Sequence, residues 1–188
     1  MENNKLENDI HSFYTELISC KKEYLQLFSD LQIQIEGWFR GELMHYFKEN
    51  RYDMTTENRE ERIPNQDPKK RKKADFKIKV NGEWCWIELK HILIGHQKSN
   101  NRFKISDYFR SYNSFAVIND IDKLTNVKPD SAYVLAFVLV DDDSITSKNG
   151  LERELKQLSD KYNIRADKIA VDFDNDIRFG YFVLKLKS

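Results

Sequence analysis

The sequence predicts an α/β protein in which helices sandwich a mixed β-sheet. Three observations carry that prediction. Apolar residues recur at helical spacing through the first fifty positions. The stretch Ala74 to Leu89 alternates around Asn81-Gly82, the strongest short hairpin signal. Finally, Ala132-Tyr-Val-Leu-Ala-Phe-Val-Leu-Val140 is apolar without alternation, the pattern of a strand buried on both faces.

In chain order, Leu6, Ile10, Phe13 and Leu17 predict a helix over 4–20. A second helix is expected from about Lys22 to Asn50, with Phe28, Leu31, Ile35, Trp38, Phe39 and Tyr46 as its apolar stripe. Arg51 to Ile63 reads as a long polar strand. Pro64-Asn-Gln-Asp-Pro68 is a loop, and Lys69 to Lys73 is a basic run. The hairpin follows, then a loop over His91 to Arg102, a helix over Ile105 to Tyr112 and another turn or two of helix over Asp120 to Asn126. After the buried strand come a helix over Leu151 to Tyr162 and two strands, Lys168 to Phe173 and Ile177 to Leu186. Helices before and after a three-strand meander, followed by a buried strand, give the layered sandwich.

The chain has 188 residues, enough for one domain, 1–188, with a substantial core. Lys and Arg together number 31 and so do Asp and Glu, so any nucleic-acid-binding surface must be local. Cys20 and Cys85 lie in apolar surroundings, as in a reduced cytoplasmic protein. The opening Met-Glu-Asn-Asn-Lys has no signal-peptide pattern, and no apolar run is long enough to span a bilayer.

The hairpin holds the chemically telling residues. With Asn81-Gly82 as a two-residue loop, Val80 pairs with Glu83, Ile78 with Cys85, Phe76 with Ile87, and Asp75 with Glu88. Two carboxylates so opposed repel unless a cation lies between them. Lys90, two residues beyond Glu88, points to the same face. Two acids and a lysine at one point suit a divalent metal and an activated water. The plainer reading is a half-solvated sheet, with Phe76, Ile78 and Val80 inward and Asp75, Lys77 and Lys79 outward. Glu42 falls on the stripe of the second helix, and a buried glutamate needs a partner. It is either a third carboxylate at the Asp75/Glu88 site or half of a salt bridge; Glu36, off the stripe, is the weaker competitor. His91 and His96 lack the spacing of a ligand pair.

An acid at the start of one strand, then twelve residues, then Glu88-Leu89-Lys90 within Trp86-Ile87-Glu88-Leu89-Lys90, resembles the PD-(D/E)xK nuclease superfamily. The proline of that motif is Ala74 here. The resemblance implies a restriction-endonuclease-like core, α-β-β-β-α-β, over about 22–140, with an N-terminal helical extension and a C-terminal α-β-β extension. It implies a metal-dependent nuclease acting on nucleic acid, most commonly DNA, as an endonuclease rather than an exonuclease. Asp75, Glu88 and the Leu89 carbonyl would hold Mg²⁺ or Mn²⁺. Lys90 would position the attacking water, and Glu42 would match the glutamate many members carry on the helix before the sheet. Lys70, Arg71 and Lys73 on one side, and Lys98, Arg102 and Lys104 on the other, would meet phosphates. A homodimer or a partner subunit fits the same picture. The alternative is a catalytically inactive member of this fold that binds nucleic acid or protein.

Overall fold

A computed structural model describes the chain except for residues 1–4, 32, 34, 55–60, 63–72, 95–96, 99–100, 103, 126–130, 141–147, 165–168, 175–177 and 188. Two helices come first, α1 (Lys5–Asp30) and α2 (Glu36–Glu49). The strands β1 (Glu61–Arg62) and β2 (Lys73–Ala74) pair as a short ladder and lead into β3 (Phe76–Val80) and β4 (Glu83–Ile94). A second short pair, β5 (Gln97–Lys98) and β6 (Asn101–Arg102), precedes a 3₁₀ helix at Ile105–Phe109. Then follow α3 (Val117–Leu124), β7 (Ser131–Val140), α4 (Lys148–Tyr162), β8 (Ile169–Asp174) and β9 (Phe179–Lys187).

The main sheet has five strands in the order β3-β4-β7-β9-β8. Only β4 and β7 run parallel, joined through α3; the other neighbours are antiparallel. Parallel neighbours require a crossover, and α3 supplies it. Outside β3, Met54 forms an isolated antiparallel bridge to Ile78. The hairpin turn has Asn81 at φ 53° and Gly82 at φ 89°, so both central residues are left-handed, as a type I′ turn demands. That turn fixes the register Val80↔Glu83, Ile78↔Cys85 and Phe76↔Ile87.

Strand alternation divides the core into two layers. Phe76, Ile78, Cys85, Ile87, Leu89, Phe137 and Phe179 face α1 and α2. Phe39 of α2 stacks on Phe137, ring centroids 4.5 Å apart, and on Phe179 at 5.7 Å. Trp86, Ile92, Ile94, Val134 and Val138 face the 3₁₀ helix, α3 and α4. By the same parity Lys77, Lys79, Trp84, Glu88 and Lys90 belong to the α3 face.

The helical boundaries differ from the sequence expectation. The break expected near residue 20 is present at Lys21, whose backbone is non-helical (φ −129°, ψ 17°), and a second helical stretch runs from there to Asp30. A further, unexpected break lies between Asp30 and Glu36, where Leu31 is 57 % exposed. A stripe drawn through Leu31 therefore has the wrong phase for α2. The buried series is Ile35, Phe39, Leu43 and Phe47, in steps of four. The expected long strand at Arg51 to Ile63 is, within the described residues, a turn, the Met54 bridge and the two residues of β1. β4 runs through Ile94 into the expected loop, because Ile92, Leu93 and Ile94 are buried beside β7. Of Ile105 to Tyr112 only Ile105–Phe109 is helical, as a 3₁₀ helix, and the helical turns expected from Asp120 belong to α3, which begins earlier, at Val117. Among the described residues no helix is long and apolar enough to cross a membrane.

Candidate functional site

The hairpin register ends at Phe76↔Ile87; Asp75 and Glu88 are the next residues on the two strands, near enough for the Asp75 charge to act on the Glu88 carboxyl. Asp75 sits at a bend between β2 and β3, and its Oδ2 accepts the Leu89 N–H at 2.9 Å. Its other oxygen is ion-paired with the Arg40 guanidinium, which reaches in from α2. Glu36, one turn earlier, lies 3.8 Å from Arg40 Nη2.

Glu88 is 7 % exposed. Its Oε1 pairs with Lys123 of α3, while its Oε2 is buried without a hydrogen-bond partner among the described residues. Burial, reinforced by the negative charge of Asp75, outweighs Lys123 and pushes the Glu88 carboxyl up to about 8. Lys90 Nζ lies 2.9 Å from Asp120 Oδ2, also on α3. Burial raises the Asp120 carboxyl above the ordinary range, and Lys90 opposes that rise. Three acids, Asp75, Glu88 and Asp120, thus converge with three cations, Arg40, Lys90 and Lys123. Each carboxylate has a cation beside it, which is how so much charge is tolerated at low exposure.

Of the expected residues, Asp75, Glu88, Leu89 and Lys90 come together. Leu89 meets Asp75 through its N–H, and its side chain packs into the opposite core layer. Glu42 stands elsewhere: its carboxylate is 3.9 Å from Lys21 Nζ, with 27 % of its side chain exposed, in a crevice with Leu17, His45 and Tyr46. The physical reason is the phase set by Ile35, Phe39, Leu43 and Phe47, which leaves Glu42 on the rim facing α1. Glu36, the competitor set aside on stripe phase, is the α2 acid nearest the site through Arg40.

Lys70 and Arg71 lie outside the described residues. Lys73 lies in β2, and Lys98 and Arg102 lie in the β5–β6 pair; the side chains of all three lie outside the described part. Lys104 is exposed at the start of the 3₁₀ helix, where its N–H donates to Asp107 Oδ2 at 2.8 Å. Tyr108 and Phe109 are buried in the α3-side core layer, and Tyr112 is exposed.

Sequence reasoning missed Arg40, Asp120 and Lys123. Asp120 had a signal, since Val117, Asp120, Ile121 and Leu124 recur at steps of three and four. A buried acid on such a stripe needs the same explanation that was sought for Glu42. His91 is a further buried polar group. Its Nδ1 accepts the Ile35 N–H at 3.2 Å at the start of α2, and burial lowers its pKa to about 4. It is a neutral anchor for that helix, on the opposite sheet face from Glu88.

Among the described residues no group of three His, Cys, Asp or Glu side chains is gathered to hold a metal ion. The oxygen donors nevertheless fit a hard divalent cation, and the buried, unpartnered Glu88 Oε2 is the atom such an ion would satisfy.

Comparison with protein-family models, with curated proteins and with solved structures finds no match. The functional reading therefore rests on the residues and their geometry.

Proposed function

We propose that the chain is a metal-dependent nuclease that hydrolyses phosphodiester bonds in nucleic acid, with DNA the first candidate and endonucleolytic cleavage the expected mode. The observation that carries this reading is buried Glu88 beside part-buried Asp75, with Lys90 tied to the same cluster through Asp120, and with Glu88 Oε2 lacking a partner among the described residues. The mixed sheet supports it to this extent: α2 precedes the β3–β4 hairpin, and α3 leads from there to the parallel strand β7.

In this reading Asp75, Glu88 and the Leu89 carbonyl would hold Mg²⁺ or Mn²⁺. When bound, such an ion lowers the pKa of a water and offsets charge on the phosphate. Arg40 and Lys123, which pair with Asp75 and Glu88 in the metal-free protein, would then be free to face phosphate oxygens. Lys90, fixed by Asp120, orients the water and stabilises charge that develops in the transition state. Glu42 takes no part.

A second reading has an observation of its own. Every acid of the cluster already has a cation, as in a non-catalytic member of this fold that binds nucleic acid or protein. Calorimetric titration with Mg²⁺, run beside plasmid cleavage, separates the two. The nuclease predicts saturable binding and nicking that EDTA and Lys90→Ala both abolish. Absence of binding and of cleavage favours the second reading.

A further inference from the structure

Two cross-strand pairs follow one another on the α3 face of the hairpin, Lys77 opposite Trp86 and Lys79 opposite Trp84, and Asp75 and Glu88 are the residues just beyond Phe76 and Ile87, where the register ends. Successive pairs are two residues apart, about 7 Å along the strand. Lys77 Nζ lies 4.7 Å from the centre of the Trp86 ring and 5.0 Å from that of Trp84, and Lys79 Nζ lies 5.9 Å from Trp84. Trp86 is buried beneath this layer, whereas Lys77, Lys79 and Trp84 are each part-exposed. The core layer formed by the 3₁₀ helix, α3 and α4 takes in Trp86 but not Trp84, Lys77 or Lys79. The hairpin end therefore forms a shelf of alternating cation and indole that leads straight to the acid pair.

We propose that this shelf is a binding track for a single strand of nucleic acid, which it feeds toward Asp75 and Glu88. The proposal rests on the nuclease reading for what happens at the end of the track, but the track itself is defined by Lys77, Lys79 and Trp84. Its two ammonium groups complement consecutive phosphates. Its part-exposed indole offers a stacking face that every base can use. The pair spacing is on the order of one nucleotide of an extended strand, so one strand lying antiparallel or parallel to β4 meets one Lys/Trp pair per step. A duplex hides its base faces and cannot use the indole. An acidic peptide would use the lysines but gain nothing from Trp84.

The test is fluorescence anisotropy with labelled single strands of about 12 nucleotides, in DNA and RNA versions, and with a blunt duplex of the same sequence. It is run in EDTA, so the result is independent of the metal site and of cleavage. The single strands should bind more tightly than the duplex, with quenching of tryptophan emission. Trp84→Leu should weaken binding roughly tenfold and remove most of the quenching, and Trp84→Phe should restore the affinity. Lys77→Gln with Lys79→Gln should make the slope of log K against log salt shallower by about 1.4, at ~0.7 per phosphate contact on a single strand. Tighter binding of DNA or of RNA would assign the strand type. Parent-like affinity and slope in these folded variants, preference for the duplex, or displacement by polyglutamate as effective as by DNA would each overturn the track. Loss of Mg²⁺ binding or cleavage with the track intact would instead count against the nuclease reading alone.

Discussion

Glu88→Gln should remove most of the pH dependence of stability in the metal-free protein above about pH 5. Glu88 is buried and its carboxyl is held at about 8 against an ordinary 4.5. Between those values the folded protein keeps a proton that the unfolded chain has released. Stability from this group is full below about 4.5 and is lost as pH rises through about 8. At ~1.4 kcal/mol per pH unit, the loss from about pH 5 to about pH 8 is on the order of 4 kcal/mol. That is a large share of the stability of a domain this size. Glutamine preserves shape and hydrogen-bonding capacity while removing the ionisation. Urea unfolding in EDTA at pH 5, 6, 7 and 8 would measure both chains. The parent should lose several kcal/mol relative to Glu88→Gln across that range, and saturating Mg²⁺ should reduce the loss. Two curves that stay parallel to within about 1 kcal/mol would refute the reasoning.

Other substitutions probe the same network. Lys123→Met should remove the cation that opposes the rise of the Glu88 carboxyl, so the variant should go on losing stability above pH 8, where the parent's loss levels off; profiles that level off at the same pH would argue against the ion pair. Glu42→Gln should change stability by less than about 1 kcal/mol and leave Mg²⁺ affinity unaltered in calorimetry, because its 3.9 Å contact with Lys21 is half-exposed. His91→Leu should cost about 1–3 kcal/mol by leaving the Ile35 N–H without its acceptor. It should also flatten the acid limb, since His91 contributes stability above its unfolded pKa of 6.5 that is lost as pH falls through about 4; an acid limb as steep as the parent's in chemical unfolding would show that His91 is not buried neutral.

The legible parts of the fold were those set by local geometry. Asn81-Gly82 specifies a turn with two left-handed residues, and the turn alone fixes which residues face each other, so the pairs through Phe76↔Ile87 could be counted from the sequence. The uniform apolar run ending at Val140 could only be a central strand. The break at Lys21 was legible, but the one before α2 was not, because nothing in Asp30-Leu-Gln-Ile-Gln-Ile35 is a helix breaker. That error carried into function: a stripe extended across the break placed Glu42 inward, although α2 buries Phe39, Leu43 and Phe47 instead. The α3 contribution was lost for a different reason. Val117–Leu124 is a helix of eight residues, short enough that its stripe gives a weak periodic signal. Arg40 had no local signal at all, since its partner Asp75 is distant in sequence and is brought near only by tertiary packing.

The central claim is that Asp75 and Glu88 share one divalent ion. Anomalous diffraction from crystals of the parent grown in Mn²⁺ tests it most directly. The account predicts a single strong peak within coordination distance of Glu88 Oε2 and of an Asp75 carboxylate oxygen, with Lys123 withdrawn from Glu88, and no peak in Glu88→Gln. A fully loaded crystal that shows Glu88 still bound to Lys123 and no metal between the two acids would contradict it.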